Sequence, residues 1–179
     1  MTKSTEYYLS DFLDDNANLL LKSNSIDTTK IEVNLSEPKI PIESIIKLLG
    51  INVIEKAYIK DELTDKKEIT ISFLDPSDKQ RFTKAHKLAH ILYKHLELKD
   101  KISKDETLTI KEKEFLYKAI ERQADRFAQN LLLPIELVRE VDNIHKNNFR
   151  NKAQRIVTLA ELFDVSYLSI EHRLEDIDN

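Results

Sequence analysis

A single glycine, Gly50, stands in a chain of 179 residues, and this scarcity narrows the possible folds more than any other feature. Glycine-rich phosphate loops and dinucleotide fingerprints need several glycines where the backbone approaches a phosphate or takes a positive φ. Nucleotide-binding folds of those types are therefore excluded. The absence of cysteine removes disulfides, thiolate nucleophiles, iron–sulfur clusters and all-cysteine zinc sites together. Any metal must be held by histidine and carboxylate.

The length suits one domain, or one with a small appendage. At 41% hydrophobic and 34% charged residues, the chain lies away from the composition of disordered proteins. No run approaches the roughly 18 apolar residues of a membrane span, and the N-terminus lacks the basic region and apolar core of a signal peptide. The expectation is a cytoplasmic protein. A formal net charge of -4 gives no electrostatic reason to expect a nucleic-acid partner, which leaves a protein or peptide as the default.

Residues 1–30 carry one apolar stripe through Tyr8, Phe12 and Leu19 to Leu21, and read as a peripheral N-terminal helical extension to a domain spanning 31–179. Ile31 to Leu35 alternates at period 2 and predicts a short strand, ended by Pro38 and Pro41. Ile42, Ile45, Ile46, Leu48 and Leu49 have helical spacing and stop at Gly50. Strands are expected at Ile51–Ile59 and Glu68–Leu74. A helix follows from a capping box of Ser77 with Gln80 to about Leu98, then a charged surface connection from Lys99 to Leu108. A second capping box, Thr109 with Glu112, opens a long amphipathic helix that reaches Pro134. Helical patterns complete the chain at Ile135–Ile144, Ala153–Phe163 and Tyr167–Ile177, the last with Ser166 as N-cap. This order predicts an α+β fold with helices segregated on one side of a small sheet.

The sharpest local feature is His86-Lys87-Leu88-Ala89-His90 inside a predicted helix. At the helical period the two imidazoles lie about 40° apart and one turn above each other, as a shared metal requires. Glu121 and Asp125 form a second i, i+4 pair on the next long helix. One carboxylate there can complete a metal site while the other accepts the second ring N–H of a ligand histidine. Both can equally be the solvated face of an amphipathic helix. His95 reads as an exterior residue or a support behind the site, His145 and His172 as surface residues, and Tyr93 as packing.

These segments resemble the ImmA/IrrE metallopeptidase-like family, in which RFT-x-AHE-x-GH is followed by E-x-x-AD-x-FA-x-x-LL-x-P. The counterparts here are Arg81-Phe82-Thr83 through His90, and Glu121 with Ala124-Asp125, Phe127-Ala128, Leu131-Leu132 and Pro134. The flanks agree too, from Ile40 to Val53 and from Leu159 to Leu174. The resemblance implies a small zincin-like α+β domain, with a short, mostly antiparallel sheet packed on a helical bundle. It implies zinc held by His86, His90 and Glu121, with Asp125 supporting a ligand histidine. It further implies a regulator of phage, mobile-element or stress genes whose partner is an Xre-type repressor or antitoxin.

Two positions depart from the family pattern. Lys87 stands where the family's catalytic glutamate is expected, and Ala89 where it usually has glycine. That glutamate takes a proton from water and passes it to the leaving amine, which a lysine cannot do while protonated. The expectation is a catalytically impaired protein that binds its repressor or antitoxin; the alternative is an active zinc endopeptidase that cuts it. Direct DNA binding by a C-terminal helix-turn-helix has the wrong charge. Residues 151–179 carry three basic (Lys152, Arg155, Arg173) and six acidic residues (Glu161, Asp164, Glu171, Glu175, Asp176, Asp178), a net of -3.

Overall fold

The computed structural model describes residues 6–57 and 67–178. Strand β1 (Tyr7–Tyr8) passes through a single 3-10 turn into helix α1 (Asp15–Ser23). Asp14 sets the start of α1, its carboxylate accepting from the Ala17 N–H at 2.8 Å. The helix expected in the first 30 residues is thus confined to this segment. Of its apolar stripe, Phe12 and Leu21 are buried in the common core, as is the neighbouring Leu9, while Leu19 is exposed.

Strand β2 (Glu32–Val33) pairs antiparallel with β1, Tyr7 opposite Val33. Helix α2 (Ile42–Leu48) buries Ile42, Ile45 and Ile46 and is closed by Gly50 at φ +66°. That turn uses glycine's freedom in the left-handed region. Strands β3 (Asn52–Lys56) and β4 (Glu68–Ser72) run parallel, Ile54 opposite Thr70. The remainder of the strand expected to reach Ile59 lies outside the described residues. The α+β class holds, with its pairing divided: the antiparallel pair is the two-residue one, and the five-residue pair that buries Ile69 and Ile71 is parallel.

Helix α3 (Ser77–Leu92) begins after Pro76, with no side-chain cap. The expected capping box does not form because both partners are engaged elsewhere. Ser77 Oγ donates to Asp164 at 2.8 Å, and Gln80 Nε2 donates to the Asp75 carbonyl at 2.8 Å. The helix also stops short of Leu98. Lys94 takes a left-handed conformation at φ 54°, and a separate helix, α4 (His95–Lys104), starts at the next residue. The charged stretch expected as a surface connection is therefore largely helical, and it buries Ile102.

Helix α5 (Ile110–Leu132) opens with the expected box: Thr109 N–H donates to Glu112 Oε2 at 2.8 Å, and Glu112 N–H donates to Thr109 Oγ1 at 3.3 Å. Pro134 then starts α6 (Ile135–His145), followed by α7 (Lys152–Phe163) and α8 (Tyr167–Asp178). Ser166 caps the last by accepting from the Ser169 N–H at 3.2 Å. No described helix is long and apolar enough to cross a membrane.

Helices α3 and α5 pack against each other, and Ala85 and Ala89 on the first and Ala124 and Ala128 on the second are all fully buried. Small side chains let two helices approach closely. Ala89, the alanine in the family's glycine position, is accommodated in the buried core. Arg81, buried at the start of α3, donates from Nη2 to the Ile40 carbonyl at 3.0 Å, with Asp164 and Glu43 carboxylates 3.7 and 3.8 Å from its other nitrogens. This guanidinium ties α3 to the segment before α2 and to the end of α7.

Candidate metal centre

The i, i+4 spacing places His86 and His90 on the face of α3 that meets α5, and the same spacing on α5 brings Glu121 and Asp125 opposite them. His86 Nε2 lies 2.9 Å from His90 Nε2. Glu121 Oε2 lies 3.3 Å from the first and 3.4 Å from the second. Three donor atoms thus form one small triangle. Zinc bonds of about 2.0–2.1 Å at tetrahedral angles require ligand atoms about 3.3–3.4 Å apart. Both imidazole–carboxylate distances have this value, and the imidazole pair is tighter.

Protonation also suits a cation. Burial pushes the His90 imidazole down to about 4, against the attraction of Glu121, so His90 is neutral at pH 7. Burial would push the Glu121 carboxyl up, but the hydrogen bond from Lys99 and the adjacent imidazoles outweigh it and hold the group below its ordinary value. Neutral imidazole and ionised carboxylate are the forms that bind metal. His90 is buried while Glu121 is nearly half exposed, so the triangle opens to solvent on one side and leaves room for a fourth ligand.

A second layer surrounds the triangle. Asp125 Oδ1 accepts from His86 Nδ1–H at 2.8 Å, the arrangement that turns Nε2 toward a metal. Lys99 Nζ donates to Glu121 Oε1 at 2.7 Å and leaves Oε2 facing the imidazoles. His95 Nδ1 lies 3.0 Å from His90 Nδ1, and His95 Nε2 lies 3.1 Å from Gln123 Oε1. His95 is fully buried. Of the two positions open to it from the sequence, it takes the one behind the site. Tyr93 stacks on the His95 ring at 5.3 Å and meets Phe127 edge-on at 6.0 Å, a packing role as expected.

All four residues expected at the site are therefore brought together. Lys99 and Gln123 carry no local signal, and the bond from His95 to His90 depends on the break at Lys94. On one continuous helix His95 would lie about 140° from His90. A lysine in the left-handed region is uncommon and gives no sequence warning of it.

The sequence matches the IrrE N-terminal-like domain, a peptidase family, over residues 46–175. The chain belongs to this family. Its IrrE-like segment therefore contains β3, β4 and the helices from α3 through most of α8, and with them the whole triangle. A solved structure described as a Mycobacterium tuberculosis transcriptional regulator shares the fold, at a TM-score of 0.55 and 18% identity over 92% of this chain. The present chain spans about half of that protein, 48% of its length. No curated protein matches the sequence.

Within this IrrE-like site, the departure at position 87 is structural as well as chemical. Lys87 is half-buried on α3 and makes no hydrogen bond or ion pair with the described residues. The two carboxylates of the site are committed, Glu121 to the triangle and Lys99, Asp125 to His86.

Proposed function

We propose that this IrrE-like chain binds zinc through His86, His90 and Glu121 and acts by holding a protein partner, an Xre-type repressor or an antitoxin, without cutting it. The observation that carries this reading is an intact donor triangle beside Lys87. Bound there, zinc would supply Lewis-acid polarisation of a peptide carbonyl. The chain's own residues orient the donors: Asp125 holds the proton of His86 Nδ1, and Lys99 holds the outer oxygen of Glu121. None supplies an anionic base to take a proton from water and hand it to a leaving amine.

Binding in place of cleavage suits the scaffold. The edge of β4 away from β3 pairs with no described strand, and an extended segment can add there through main-chain hydrogen bonds. The solved neighbour's description as a transcriptional regulator accords with a regulatory role. The test is to mix the purified chain with an Xre-type repressor or antitoxin, in the presence of zinc. The expected outcome is a stable complex with both chains intact, and partner cleavage only after Lys87→Glu. Zinc-dependent cleavage by the unaltered chain, abolished by Glu121→Ala, would establish the active endopeptidase instead.

A further inference from the structure

His95 and Gln123 lie outside the residues that the family pattern assigns to the site, yet they continue a line of ring nitrogens out of the triangle. His90 has one nitrogen in the triangle and the other, Nδ1, 3.0 Å from His95 Nδ1. For Nε2 of His90 to present a lone pair to a metal, its ring proton must sit on Nδ1. That proton then needs an acceptor, and His95 Nδ1 is the atom in reach. His95 accepts at Nδ1 only when its own proton is on Nε2. The Gln123 carbonyl oxygen, 3.1 Å from Nε2, accepts that proton.

We infer that Gln123 and His95 form a neutral two-step relay that fixes the tautomer and ring orientation of His90, so that Nε2 is held ready for the metal. The inference rests on the zinc reading above and names His95 and Gln123 as positioning residues. Its chemistry differs from the support of the other imidazole, which comes from the ionised Asp125 at an exposed edge. A carboxylate behind His90 would be a buried charge with a large desolvation cost. A neutral imidazole ending on a side-chain amide provides the same acceptor without that cost. With both Nδ1 protons so placed, the Nε2 atoms of His86 and His90 and the Glu121 oxygen converge as three lone pairs with no hydrogen among them. A cation resolves that arrangement.

Supporting partners of this kind are typically worth about 10- to 100-fold in metal affinity. The test is zinc affinity of the full chain, by competition with a chromophoric chelator, for the unaltered protein, His95→Leu, Gln123→Leu and Gln123→Glu. Because Gln123 is exposed, its variants keep the fold even where His95→Leu does not. Gln123→Leu should weaken zinc binding by about 10-fold, and Gln123→Glu, which keeps an acceptor oxygen, should restore it. In a His95→Leu, Gln123→Leu double variant the losses should be less than additive, because both residues act along one chain. The cobalt-loaded protein should show a shifted visible spectrum in the leucine variants only. Unchanged affinity and spectrum in Gln123→Leu, with the unaltered protein binding zinc, would overturn the relay alone. A folded protein that binds no zinc would overturn the metal reading and the relay with it.

Discussion

Lys87 and Asp164 show how much a single side chain decides in this protein. Replacing Lys87 with alanine removes a positive charge next to a ligand, so zinc stoichiometry should be unchanged and affinity equal or higher, as calorimetry would read. Asp164 accepts from Lys39 and Ser77 and faces the buried Arg81 guanidinium. Burial opposes its ionisation, but these partners hold its carboxyl below the ordinary 3.8. A depressed carboxylate stabilises the fold above its unfolded pKa and loses that contribution as pH falls through the folded value. Asp164→Asn, which tolerates the left-handed backbone at φ 51°, should therefore cost about 1–3 kcal/mol at pH 7. The difference should shrink below pH 3.8, as urea unfolding at both pH values would show. At this scale His86, His90, Glu121 and Asp125 were legible because each pair sits on one helix at a spacing that geometry fixes. Lys99 and Gln123 were not, because their roles depend on how separate helices meet.

Helices carry the site, and their ends explain where the sequence was readable. The Thr109 box, the Gly50 terminus and the Ser166 cap formed as expected, since each depends on residues three or four positions apart. Ser77 failed as a cap because Asp164, far away in sequence, competes for its hydroxyl. Thr109→Ala should cost about 1 kcal/mol in chemical denaturation and leave zinc binding unaltered, because the cap lies three turns from Glu121. The break between α3 and α4 is the element-scale feature with the most bearing on the site. Lys94→Val places a β-branched residue in the left-handed region and should destabilise the fold by about 1–2 kcal/mol. It should also weaken zinc binding by moving His95, which a zinc titration of the folded variant would read. Unaltered binding in that variant would show that the break does not serve the site.

Across the whole molecule, one continuous core joins the N-terminal segment, both strand pairs and the helical bundle. Class and the order of most elements could be read from periodicity, β1 and α4 excepted; the parallel direction of β3 and β4 could not, because it is set by tertiary packing and not by the strands' own pattern. The site spans two helices of that core, so a metal held there couples to global stability. At a free zinc concentration of about 100 times Kd, binding adds about 2.7 kcal/mol. For a chain of this size that corresponds to a rise in Tm of roughly 5–10 °C. The rise should vanish with a chelator and in His86→Ala, as scanning calorimetry would show. The central claim is that the triangle still holds zinc despite Lys87. Its most direct test is elemental analysis of the full chain after equilibration with a small excess of zinc and desalting. The account predicts near one zinc per chain, lost in Glu121→Ala; a folded protein that retains no zinc would contradict it.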